Sequence, residues 1–258
     1  MSTQSTQSTQ STQSTQSTRS TRLALPAFVV PSRRRGVELL DDPSADTAIA
    51  LRSLRDVALS NRLFGGVSAV LAELRPVFDE ALSRGTTLSL LDVGTGLGDI
   101  PARAAREAAT SGIALRTYGL EISHGLAAGC RAGAGTAIAG SAIALPFADR
   151  SIDIVTCSQV LHHFETREAE MLLAEMQRVA RVRVIVADIR RAWLAAAGLW
   201  AASFALGFHP ISRHDGVVSV FRGFRREELG ALVRAATGCD ALVRDRRGFR
   251  VTASWSPA

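Results

Sequence analysis

Between Leu90 and Asp99 the chain reads LLDVGTGLGD, and no other stretch limits its fold as strongly. Leu88, Leu90, Leu91 and Val93 make an apolar run of strand length. The run breaks at Gly94-Thr95-Gly96-Leu97-Gly98, and the helical pattern DIPARAAREAA starts at once. A glycine turn between strand and helix opens the backbone to a ligand, because no side chain projects there. The helix start adds unpaired amides and positive partial charge, which favours a nucleotide-like visitor. A dinucleotide fingerprint requires G-x-G-x-x-G, and here Asp99 stands where its third glycine would fall. Asp92, two residues before the first glycine, suits a cationic ammonium better than a pyrophosphate.

The rest of the chain alternates strand and helix patterns. Ala114–Glu121 reads as a second strand ending in an acid, and Glu121 lies 23 residues beyond Gly98. That is near the roughly 20 expected of a carboxylate that accepts ribose hydroxyls in a βαβ unit. A short helix pattern, a third apolar segment (Thr136–Ala139), the Pro-broken loop LPFAD and a fourth strand (Ile152–Thr156) follow. Thr166–Ala180 reads as a helix with Met171, Leu172, Met176 and Val179 on one side, and Val182–Asp188 as a fifth buried strand. Beyond the nearly polar-free Ala192–Phe208, Arg225–Ala236 is an amphipathic helix. Ala241–Arg244 and Phe249–Trp255 form a closing strand pair across Arg246-Arg247-Gly248. Upstream, residues 36–84 read as a helical lead-in that starts near Asp46 and breaks at Gly65-Gly66.

Composition narrows the class. With 258 residues and 47% hydrophobic content the chain can bury one sizeable α/β core plus an appendage. Cys130, Cys157 and Cys239 contain no C-x-x-C, so they build neither a disulfide framework nor a zinc site, which fits a reducing cytoplasm. The net charge of +6 is unevenly spread. Residues 1–35 hold five arginines and no acid, 36–177 eleven arginines against eighteen acids, and 178–258 fourteen against six. This is not the uniform basic face of a nucleic-acid binder. The opening Ser-Thr-Gln repeat buries nothing and is expected to be disordered and without a role. Leu23–Val30, with Pro26 and Pro31 about it, is too short for a bilayer and is expected to pack on the domain.

Four motifs stand in a fixed order: LDVGTGLGD (Leu91–Asp99), the acid Glu121, SAIALPFADRSIDIV (Ser141–Val155) and SQVLHHF (Ser158–Phe164). On these the chain resembles the class I S-adenosylmethionine-dependent methyltransferases. Within them it is similar to the small-molecule branch that includes the ubiquinone/menaquinone-biosynthesis enzymes. The resemblance implies an α/β fold, a Rossmann-like doubly wound seven-stranded sheet with an antiparallel last strand, preceded by an N-terminal helical cap. It implies S-adenosyl-L-methionine as cofactor. It divides the chain into a tail (1–22), a cap segment (23–85) and a methyltransferase domain (86–256). Gly94, Gly96 and Gly98 would meet the methionine portion with Leu97 beside it, and Asp92 would steady the turn near the ammonium. Glu121 would accept both ribose hydroxyls, and Ile122 would lie on the adenine. Ser141 and Ala142 would stand at the adenine amino group, Ser141 in place of the usual acid. Ser158 would touch the methionine end from beneath. The resemblance also makes Ala192–Phe208 a buried helix on the sheet that lines the substrate pocket. The other reading of that segment is an interfacial helix in peripheral contact with a membrane.

Methyl transfer asks little beyond a held acceptor and removal of its proton. His162, of the pair His162-His163, is the candidate base. His209 and His214 fall in a segment expected to be a loop over the substrate. Arg62 and Phe64, beside the Gly65-Gly66 break, join His209 as candidate substrate contacts, and no metal-ligating set is expected. The expected reaction is transfer to oxygen or carbon of a small apolar acceptor such as a phenol, quinone precursor or polyketide-like ring. A nucleic-acid methyltransferase is the second reading. Its amino-directed members carry Asn/Asp-Pro-Pro-aromatic where this chain has Thr156-Cys157-Ser158-Gln159. A non-catalytic cofactor-binding module is the third, favoured by Ser141 and opposed by the intact glycines and Glu121.

Overall fold

Strand alternation builds the sheet from the inside. Leu88 and Leu90 of β1 (Leu88–Val93) join one core cluster, Leu91 and Val93 the other, because successive strand side chains point to opposite faces. The computed structural model describes residues 30–39, 47–122, 127 and 135–257. Around β1 stand β2 (Leu115–Glu121), β3 (Thr136–Ala139), β4 (Ile152–Ser158), β5 (Ala180–Ile189), β6 (Leu242–Arg246) and β7 (Arg250–Trp255). They form one seven-stranded sheet of order β3-β2-β1-β4-β5-β7-β6. β1 to β5 pair in parallel, and β7 runs antiparallel between β5 and β6. The described helices are α1 (Thr47–Leu63), α2 (Gly66–Arg84), α3 (Asp99–Thr110), α4 (Thr166–Val179), α5 (Trp193–Ala205), α6 (Pro210–Arg222) and α7 (Arg226–Thr237).

Helices cover both faces, which is why the parallel strands read as near-continuous apolar runs. On one face Leu74 and Phe78 of α2 and Ala104 of α3 meet Leu90, Ile154 and Ile185. On the other, Leu172 and Met176 of α4 and Val233 of α7 meet Val155, Val184 and Ala253. Met171, expected on that inner side, is exposed. A buried acid locks the reversed strand in place. Thr252 and Ser254 of β7 donate to Glu73 of α2 at 2.5 and 3.0 Å, and Arg246 adds a contact at 2.6 Å. Burial works to raise the Glu73 pKa, yet Arg246 and the hydroxyls outweigh it and hold the group below the ordinary range. The α1–α2 break seats on the β6–β7 turn, where a side chain at Gly248 would overlap the Phe64 carbonyl.

Two expectations need correction. Ala192–Phe208 does not pack on the sheet. α5 rests instead on α6 and the end of β5, through Ala195, Ala196, Ile189 and Val220. The faces of the sheet are already filled by α2, α3, α4 and α7, so this helix takes an outer place. The segment after it, expected as a loop, is the helix α6. Pro210 opens α6, and His209 Nδ1 caps it by accepting a hydrogen bond from Ile211 N at 3.3 Å. Its buried positions include Ser212, Asp215 and Arg222, so it has no apolar stripe to betray it. The Ser-Thr-Gln tail, Leu23–Phe28, Asp46 and most of the short helix pattern after Glu121 lie outside the described residues. Among the described residues no single helix is long and apolar enough to cross a membrane.

Candidate active site

Open α/β sheets bind ligands beyond the carboxyl ends of their strands, where the strand order reverses. Here β1 has β2 on one side and β4 on the other, and the glycine turn closes the top of β1. Gly94 N and Thr95 N donate to Leu120 O at 2.9 and 3.1 Å, tying the turn to β2. Gly94, Gly96 and Gly98 have φ of 69°, 56° and 74°. A Cβ at Gly94 would stand 2.5 Å from Val160 Cγ2, so both conformation and space call for glycine. Gly98 precedes α3, whose Asp99 accepts a hydrogen bond from Asn61 Nδ2 at 3.3 Å. Leu97 is half-buried beside the turn.

Glu121 completes the loop. Its Oε2 accepts from Gly96 N at 2.8 Å and its Oε1 from Ile122 N at 3.0 Å. Ile122 itself is 77% exposed, an apolar side chain at the lip of the crevice. Ser141 and Ala142 follow β3, and Ser141 forms a bridge with Ala144. Below the turn, Asp92 is buried and its Oδ1 accepts from Thr156 Oγ1 at 2.8 Å. Burial pushes its pKa up to about 7, against the Thr156 hydrogen bond and with added repulsion from Asp99 and Glu121. A cation beside such a group would be strongly favoured. Ser158 ends β4 with its hydroxyl buried and without a hydrogen-bond partner among the described residues. An unpaired buried hydroxyl is costly and points to a ligand.

A second group of side chains stands on the other side of β4. His162 lies in the 3₁₀ turn Leu161–His163, and its Nδ1 is 2.7 Å from Asp188 Oδ1. Its backbone N–H donates to Asp188 Oδ2 at 3.1 Å, and Ile189 N donates to Oδ1 at 2.6 Å. Burial opposes the charge of Asp188, but His162 and the Ile189 N–H outweigh it and hold the carboxyl below the ordinary range. In the tautomer that gives Nδ1–H to this carboxylate, Nε2 is the acceptor nitrogen of the ring. That nitrogen is buried without a hydrogen-bond partner among the described residues.

Glu38, from the segment 30–39, has Oε1 3.9 Å from His162 Nε2. Arg222 stands 3.2 Å from the same oxygen, and Ser219 Oγ donates to it at 2.8 Å. The segment is pinned along its length. Arg191 donates to Pro31 O at 2.8 Å, Arg222 to Gly36 O at 2.6 Å, and Leu39 N to Asp215 Oδ1 at 2.9 Å. Glu38, His162 and His163 offer three donor atoms within 4.8 Å of one another. Arg222 Nη1 also lies 3.4 Å from His163 Nδ1, so a protein cation already answers the carboxylate where a metal would have to stand.

The substrate contacts expected from sequence lie at the end of α1, in the break after it and at the start of α6. Arg62 is exposed on the last turn of α1, Phe64 is half-buried in the break, and His209 uses Nδ1 as a helix cap. His214, expected in a loop, is on α6 and pairs with Asp215 at 2.8 Å. Sequence reasoning passed over Asn61's bond to Asp99, and Asp188, Glu38 and Arg222 altogether. Asp188 alone left a signal, as the one acid in the apolar strand VRVIVAD.

Residues 91–187 match the family described as Methyltransferase domain. A solved S-adenosylmethionine-dependent methyltransferase from Aquifex aeolicus superposes with a TM-score of 0.54 at 13% identity, over 83% of this chain and 100% of that one. A second such enzyme, from Thermotoga maritima, gives 0.51 at 16% identity over 83% and 100%. None of the curated proteins matches the sequence. The fold is thus the Rossmann-like fold of class I methyltransferases, with the domain match lying across the glycine turn and Glu121 and ending one residue short of Asp188. A methyltransferase domain over residues 91–187 on this fold supports an enzyme, a methyltransferase that uses S-adenosylmethionine. The residues fit that cofactor on their own terms: a turn whose Gly94 leaves no room for Cβ, an acid at the end of β2, a buried acid that favours a cation, and an orphan hydroxyl.

Proposed function

We propose that this enzyme methylates an oxygen or activated carbon of a small apolar acceptor, a phenol, quinone precursor or polyketide-like ring, with His162 as general base. The observation that carries this reading is the His162–Asp188 pair, whose buried Nε2 has no hydrogen-bond partner among the described residues. Asp92, Gly94, Gly96, Leu97, Gly98 and Ser158 hold the methionine end of the cofactor in this reading, and Glu121 exchanges its bond to Gly96 N for the ribose hydroxyls. Ile122, Ser141 and Ala142 border the adenine. When bound, S-adenosylmethionine supplies a methyl carbon on a cationic sulfur; its bond to sulfur breaks as the acceptor–methyl bond forms, leaving S-adenosylhomocysteine. His162 Nε2 takes the acceptor's proton, while Asp188 fixes the tautomer and stabilises the imidazolium. The segment 30–39 lies over His162 through Glu38, which supports a small acceptor over a polymer. Residues 23–85 then act as the cap of a catalytic domain at 86–256, and the two free cysteines among the described residues fit a cytoplasmic setting.

Calorimetry with S-adenosylhomocysteine tests the cofactor half. Glu121→Ala removes two charge-assisted hydrogen bonds to the ribose but also the one that Gly96 N makes in the free protein, a net loss of about 1.5–3 kcal/mol, so affinity should fall by about 10- to 100-fold. Equal binding by both proteins overturns the ribose role. Methyl-labelled cofactor offered with a panel of phenols tests the acceptor half. Label in the phenol fraction, matched by S-adenosylhomocysteine, supports the proposal, and label confined to added RNA or DNA overturns it.

A further inference from the structure

We infer that the outer face of α5 docks the enzyme on an anionic membrane surface by shallow insertion of its aromatic side chains. The helix WLAAAGLWAASFA has no charged residue. Its inner side, Ala195, Ala196 and Ser203, is buried, while Trp193, Leu194, Trp200 and Phe204 are 45%, 67%, 55% and 51% exposed. At about 100° per residue, Trp193, Trp200 and Phe204 fall almost on one line along the axis. They form a fixed ridge. The Trp200 and Phe204 rings meet edge to face at 4.9 Å, and Trp193 meets Phe221 the same way at 5.2 Å.

The rim of this ridge is basic. Arg213 lies 3.5 Å over the Phe204 ring and Arg34 5.9 Å over the Trp193 ring, while Arg52 donates to Gly207 O at 3.0 Å just past the helix. Among the described residues, the acids that stand among these groups, Asp56 and Asp215, are buried. An apolar ridge set in arginines complements a surface that is apolar in depth and anionic at its head groups. Tryptophan, with an apolar ring and one polar tip, favours that boundary. A specific protein partner would ask for about one hydrogen bond per 100–200 Å² of interface, and this ridge has few polar atoms to provide them. At 13 residues α5 is too short to cross a bilayer of roughly 20-residue span, so it would lie along the surface. Its other face rests on α6, which carries Arg222, the partner of Glu38. Docking would therefore bring the acceptor side of the site toward the membrane.

Flotation of the full-length protein with phosphatidylcholine vesicles, with and without phosphatidylserine, tests the inference. The protein should float with the anionic vesicles, at least about tenfold more tightly than with the neutral ones, and salt should weaken the binding. Trp200→Glu with Phe204→Glu should abolish flotation while circular dichroism and S-adenosylhomocysteine binding stay as in the wild type. Arg34→Glu with Arg213→Glu should remove the preference for anionic vesicles and leave the ridge intact. Vesicle binding needs neither cofactor nor acceptor, so its result is separate from the methyl-transfer reading. Wild-type protein that stays at the bottom of the gradient overturns the inference, as does continued flotation of the double variant Trp200→Glu, Phe204→Glu. A lipid-free dimer that Trp200→Glu dissolves assigns the face to a second copy and overturns it too.

Discussion

The two sides of the crevice are made of different material. On the side proposed for the cofactor stand backbone amides of one short turn, two acids and one hydroxyl, all on β1, β2 and β4 or just beyond them. On the side proposed for the acceptor stand side chains from residues 38, 162, 163, 188, 219 and 222, brought together by the segment 30–39, a 3₁₀ turn, β5 and α6. The first is a local device that tolerates change elsewhere. The second is a tertiary assembly, and its function depends on whether distant elements pack correctly. Polar groups gathered in this way act as a network, so each is worth more in place than its pairwise contacts suggest.

The sharpest way to break this contrast is at His162. His162→Ala should lower kcat by about 10²- to 10⁴-fold and leave S-adenosylhomocysteine affinity unchanged, measured by steady-state kinetics beside calorimetry. Asp188→Asn should lower kcat with little change in the KM for the cofactor, because it disturbs the ring's tautomer and not the glycine turn. Full turnover in either variant would leave the acceptor side with no chemical part.

The same contrast explains what could be read in advance. The glycine turn, Glu121 and the strand-helix alternation are contiguous patterns, and β1 to β5 and the β6–β7 pair lie within a few residues of their expected places. α6 was hidden because polar residues fill several of its buried positions, including Ser212, Asp215 and Arg222. The placement of α5 could not be derived, since a uniformly apolar helix shows which residues avoid water but not which neighbour covers them. His162 was legible as a histidine near the site. Its partner Asp188 is 26 residues away, and Glu38 and Arg222 are 184 residues apart; only the packed fold sets these pairs side by side.

Two buried carboxylates turn the comparison into a pH experiment with opposite signs. Asp188 is held below the ordinary range, so its stabilisation is present above that range and is lost as pH falls through the folded value. Asp92 is pushed up to about 7, so its stabilisation is full below the ordinary carboxylate pKa and is lost as pH rises through about 7. Asp92→Asn should therefore gain stability relative to the wild type between pH 5 and 8, on the order of a few kcal/mol, in denaturant titrations. Bound cofactor should shrink that gain, because a cationic ammonium favours the ionised acid. A difference that is flat across this pH range would mean that Asp92 is ionised throughout, and would remove its pairing with the cofactor's charge from the argument.

The smallest effect is expected at Gly94, where the two reasons for glycine can be separated. Its left-handed conformation costs a side chain about 1–2 kcal/mol, whatever the neighbours. The approach of Val160 Cγ2, 2.5 Å from the added Cβ, is a separate contact with a side chain that can be trimmed. Gly94→Ala should lower stability and S-adenosylhomocysteine affinity together, since the turn carries both. Adding Val160→Ala should recover the steric share and leave the conformational share, so the double variant should fall between the single variant and the wild type. If it recovers fully, space alone selects glycine at the turn. If it recovers nothing, the backbone conformation decides, and the cofactor side is then governed by main-chain geometry as completely as the acceptor side is by side chains.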